Sequence, residues 1–79
     1  MNGIGEKNMN EIIQALQKKY EGEIAHAKAN INVYLTNPAG IGEHPDLVSA
    51  VDSQVDIIAH AEDKLDVLFK HYTSCLGNK

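Results

Sequence analysis

Along the first half of the chain the apolar side chains fall at steps of three and four. Met9, Ile13, Leu16, Tyr20, Ile24, Ala27, Ile31 and Tyr34 trace one face of an α-helix. Asn8 can cap its start, with Glu11 three residues on completing a capping box. Pro38 ends it, because proline cannot donate into the helical ladder and drives Asn37 out of the α region. The pattern predicts a helix over about 8–36, roughly 42 Å long at 1.5 Å per residue. A second stripe follows through Leu47, Val51, Val55, Ile58, Ala61, Leu65, Phe69, Tyr72 and Leu76. Its spacing is close to the 3.5 residues per turn of left-handed bundle packing. Pro45 suits the first helical position, Asp46 the first turn and Gly77 the C′ position, which predicts a second helix over about 45–76.

The connection at 37–44 is short, so the helices should run antiparallel. If Thr36 faces Pro45, then Tyr34 falls near Leu47, Ile24 near Ile57 and Ile58, and Leu16 near Leu65. The fold class expected is all-α, an antiparallel two-helix hairpin occupying residues 1–79 as one domain. Two helices shield only part of each stripe, and chains this short struggle to offset the entropy of folding. Assembly into a homo-oligomeric helical bundle, dimeric or higher, is the expected completion.

The reverse side of the first helix adds to that expectation. Ala15, Gly22, Ala25, Ala29 and Val33 lie roughly 140 to 180 degrees from the main stripe at 100 degrees per residue. Small residues let another backbone approach, so these five are a candidate interface; the helix propensity of alanine and a local kink at Gly22 also account for them. On the second helix Asp52, Asp56, Glu62, Asp63 and Asp66 form an acidic ridge, the usual look of a solvated face.

Charge narrows the function classes. Eleven acidic residues stand against seven basic ones, all lysine, and without arginine the planar fork used on phosphates and base edges is missing. Direct nucleic-acid binding is not expected. No run approaches the roughly 18 apolar residues of a membrane span, and MNGIGEKN lacks the apolar core of a signal peptide, so a soluble protein is expected. The one cysteine, Cys75, excludes a disulfide framework and fits a cytosolic location.

The connection NPAGIGEHPD is the most specific local feature. Gly40 and Gly42 permit positive φ and expose amides on either side of Ile41, near the free N–H groups opening the second helix. With Tyr34, Asn37, Glu43, His44 and Asp46 these glycines make a candidate site for a small anion. Turn chemistry alone also accounts for Asn37, Pro38 and the glycines. Glu23 and His26 form an E-x-x-H pair, yet they lie about 60 and 120 degrees off the core direction, so no metal site is expected. His44, His60 and His71 read as surface or capping residues. Cys75, Ser49, Ser53 and Ser74 lack a base and an orienting partner, so no catalytic residue and no cofactor is assigned.

From Val33 to Tyr72 the chain resembles small helical proteins encoded by tailed bacteriophages, notably those infecting cyanobacteria and other marine bacteria. Tyr34, Leu35, Asn37, Pro38, Gly40, Ile41, Gly42, Glu43, His44, Pro45 and Asp46 carry the resemblance, which covers about half the chain. That group has no established activity. The resemblance implies a non-enzymatic phage accessory protein in the bacterial host cytoplasm. As an anti-defence protein it would sequester a cyclic nucleotide or related signal between protomers; the alternative is a virion, assembly or protein interaction module that binds a host or virion protein.

Overall fold

A computed structural model describes residues 4–37 and 46–76, with side chains from residue 10 onward. Two antiparallel helices, α1 (Ile4–Thr36) and α2 (Leu47–His71), pack against each other along their length, and a 3-10 turn, Thr73–Cys75, follows α2. The described residues contain no strand. The molecule is a rod of 58 × 19 × 18 Å. Its radius of gyration of 17.1 Å far exceeds the roughly 12 Å of a compact domain this long.

The helix ends differ from expectation, each for a local reason. α1 starts at Ile4, before Asn8, so Asn8 stands inside the helix and is not its N-cap. Its last turn closes where expected, with Asn37 N–H donating to Val33 O at 2.8 Å and Thr36 Oγ1 to Asn32 O at 2.8 Å. α2 begins two residues later than expected. Asp46 is its N-cap, its carboxylate accepting from Ser49 N–H at 3.0 Å, so the first helical position belongs to Leu47; the expectation for Pro45 itself lies outside the described residues. α2 also stops at His71, short of Leu76. Thr73 and Ser74 are indifferent helix formers, and the chain tightens there into the 3-10 turn, with Cys75 N–H donating to Tyr72 O at 2.9 Å. Gln14 Nε2 donates to Cys75 O at 3.1 Å, tying this turn back to α1.

The pairing is offset as well. Asn30 Nδ2 donates to Gln54 Oε1 at 3.0 Å, and Lys64 Nζ stands 5.4 Å from the centroid of the Tyr20 ring. Each residue of α1 thus faces α2 about three places beyond the expected partner, close to one helical turn.

The core is thin. Among the described residues only Ala27, Ala61 and Leu68 are fully buried. Ile13, Leu16, Tyr20, Ile24, Ile31 and Tyr34 of the expected α1 stripe are half-buried around Ala27, and Leu47, Val51, Ile58 and Leu65 do the same on α2. Val55, Phe69 and Tyr72 leave the expected stripe and are exposed, while Gln54 and Leu68 take the inward positions. The inward row of α2 steps regularly by three and four through Leu47, Val51, Gln54, Ile58, Ala61, Leu65 and Leu68. Following hydrophobicity alone passes over a polar residue, and so slips sideways to Val55 at one end and Phe69 at the other.

Candidate functional site

A two-helix rod has two broad sides, and here they differ in chemistry. At 100 degrees per residue, Glu23, His26 and Asn30 precede the inward direction of α1, and Ile57, His60 and Lys64 precede that of α2. In an antiparallel pair these flanks fall on the same side. They enclose a shallow groove of about 430 Å³, floored by Ala27 and Ile57. The Asn30 and Gln54 amides join across its floor. Glu23 accepts from Lys19 Nζ at 2.7 Å, and that bond holds its carboxyl below the usual carboxylate range and the lysine above its own. His60 Nε2 lies 3.9 Å from Asp56 Oδ1 outside the groove. This side mixes cationic and anionic groups, and its central amides already satisfy each other.

The opposite side is greasy. Leu35 from α1 and Leu47, Val48, Val51 and Val55 from α2 line a shallow apolar hollow of about 440 Å³ at the turn end, with Asp52 at its rim. Val48 is 81% exposed, Leu35 68% and Val55 48%. Val48, Val55 and Phe69 recur on a seven-residue repeat that keeps them on one flank of α2, interrupted by Glu62.

The residues expected from the sequence are distributed as follows. Of the anion site, Tyr34 is half-buried, Asn37 and Asp46 are exposed, and Gly40, Ile41, Gly42, Glu43 and His44 lie outside the described residues. Asp46 caps α2 with its own carboxylate, so a negative group already takes one of the amides, Ser49 N–H, that were expected to receive an anion. Ala15, Gly22, Ala25, Ala29 and Val33 are all exposed on the outer face of α1, and a Cβ built at Gly22 meets nothing within 4 Å. Lys70 bridges to Asp66 on the acidic ridge at 2.9 Å, a contact that raises the lysine above its usual range. Glu23 and His26 do share the polar groove, but the described residues hold no group of three His, Cys, Asp or Glu able to bind a metal ion. The Cys75 thiol is free and half-buried.

Sequence reasoning missed the apolar side and the Asn30–Gln54 pair. Only the pair was readable in principle: Asn30 and Gln54 sit one turn from core positions of their helices, where a polar residue wants a partner. No helix among the described residues is long and apolar enough to cross a membrane. Comparison with known proteins finds no matching family model, no similar curated protein and no similar solved structure.

Proposed function

We propose that this protein is a non-enzymatic binding module whose working form is a homo-oligomeric helical bundle. One observation carries the reading: among the described residues three are buried and nine large apolar side chains are exposed, Val48, Val55 and Phe69 of them on one flank. Burying a valine or phenylalanine side chain contributes about 1.5–3 kcal/mol, so a lone hairpin forgoes most of the stabilisation its sequence can supply. Association recovers it. Sedimentation equilibrium of the unmodified chain tests this: the mass expected is twice 8.6 kDa or more at micromolar concentration. A single-chain mass up to millimolar concentration would overturn the proposal.

The likeness of the turn to tailed-phage proteins supports the role of a phage accessory protein acting in the host cytoplasm, with a host or virion protein as its partner. The narrower reading, sequestration of a nucleotide signal between protomers, draws on Gly40, Gly42 and His44 in the same turn. The capping carboxylate of Asp46 works against it, because a phosphate would have to share those amides with a like charge. Binding through the exposed apolar flank is therefore the reading the geometry favours.

A further inference from the structure

We infer that a second copy of this chain docks on the apolar side with its turn at the same end, α2 of each copy lying on α1 of the other. The inference rests on the oligomeric reading above and specifies its geometry. Two hairpins can stack side against side about a two-fold axis in two ways. An axis parallel to the rods sets α2 on the other copy's α1 and brings both turns together. An axis across the rods sets α2 on α2 and puts the turns at opposite ends.

Three observations select the first. The apolar hollow is confined to one end of the rod, since Leu35, Leu47, Val48, Val51 and Val55 all belong to the turn end. Rods stacked in full overlap bring hollow onto hollow only when both turns share an end; reversed, each hollow would meet the far end, where among the described residues Phe69 alone of the large exposed apolar side chains on the α2 flank stands beside Gln14 and the 3-10 turn. Charge agrees. On the flank that faces the second copy, α2 presents Asp52, Glu62 and Asp66 against Lys70, whereas α1 presents Lys18 and Lys28 against Glu21. Setting α2 on α2 opposes two acidic surfaces, while α2 on α1 meets a mildly basic one. In the matched register Asp52 at the rim of the hollow comes within about one helical turn of Lys28 in the other copy, a lysine on the Leu35 flank of α1. Area suffices as well. A side of 58 by 19 Å offers a footprint of about 1,100 Å², above the roughly 800 Å² per partner of a stable interface.

The test is a distance between turns. Asn37 is exposed at the end of α1, so Asn37→Cys in a Cys75→Ser background carries one spin label per chain at the turn. Pulsed dipolar spectroscopy on the associated protein should read a separation under roughly 30 Å, a few interaxial spacings plus the label arms. A separation above roughly 40 Å in a species of dimer mass would overturn the arrangement and leave the oligomeric proposal standing. A single-chain mass with no dipolar coupling would overturn both. Ser49→Cys, exposed in the first turn of α2, supplies a second reading of the same quantity should the first variant lose its helix content by circular dichroism.

Discussion

The polar side and the apolar side of this rod are built by the same two helices, one flank of each, and they use their area differently. On the polar side polar groups answer one another within the chain: Asn30 with Gln54, Lys19 with Glu23, Lys64 against Tyr20. On the apolar side Val48, Leu35, Val55 and Phe69 have nothing comparable to meet, and water covers them. Polar groups can be satisfied pairwise within a thin layer, whereas apolar area is removed from water only by something broad laid over it. A two-layer rod can therefore complete one side by itself and not the other.

The largest effect should come from placing charge on each side in turn. Val48→Glu with Val55→Glu is expected to weaken self-association at least a hundredfold, since two lost valine contacts amount to about 3 kcal/mol or more and each 1.4 kcal/mol is a factor of ten. His26→Glu with His60→Glu, on the other side, should change it less than about threefold. Sedimentation velocity across a dilution series measures both, and equal losses would erase the distinction between the sides. Next, Leu68→Ala removes the largest buried side chain among the described residues and should cost about 2 kcal/mol in chemical denaturation, the low end for a core leucine because the core around it is thin. Asn30→Ala leaves Gln54 Oε1 without its donor and should cost about 1 kcal/mol, read from the denaturation midpoint. Gly22→Ala should stabilise by about 1 kcal/mol, because its outer face is open and alanine is the better helix former. Should that variant instead lose self-association, the small-residue row of α1 is in use as an interface.

The smallest effect is the pH dependence. Glu23 is held below its usual range, so the stability it contributes is present above the unfolded value and drains away as pH falls through the folded one, below roughly pH 4. Lys19 and Lys70 are raised, so their contributions persist below the unfolded value and are lost only above roughly pH 10. Melting curves of Glu23→Gln and the parent chain should therefore differ slightly at pH 7 and converge toward pH 3. A gap that stays constant with pH would sink that assignment.

The helical hairpin was readable from the apolar spacing alone, because the stripe through Ile13, Leu16, Tyr20, Ile24, Ala27 and Ile31 is nearly unbroken. The inward face of α2 was harder. Two neighbouring choices, Gln54 or Val55 and Leu68 or Phe69, differ by 100 degrees, and hydrophobicity favours the wrong member of the first and does not separate the second. The start of α2 was ambiguous for a related reason: Pro45 and Asp46 both look like openings, and only the bond to Ser49 N–H decides between them. The broad sides were illegible because a side belongs to two helices at once. His26 and His60, or Leu35 and Val48, become neighbours only after the register between helices is known.

Among the described residues the buried side chains of this rod are two alanines, Ala27 in α1 and Ala61 in α2, and one leucine, Leu68. With so slender a waist, an isolated chain draws its order mainly from neighbouring turns of the same helix, and such order comes apart gradually. Heating a dilute sample should give a broad, fraying transition that starts at the tips; a sharp one would emerge as concentration rises, when cooperativity becomes a property of the assembly.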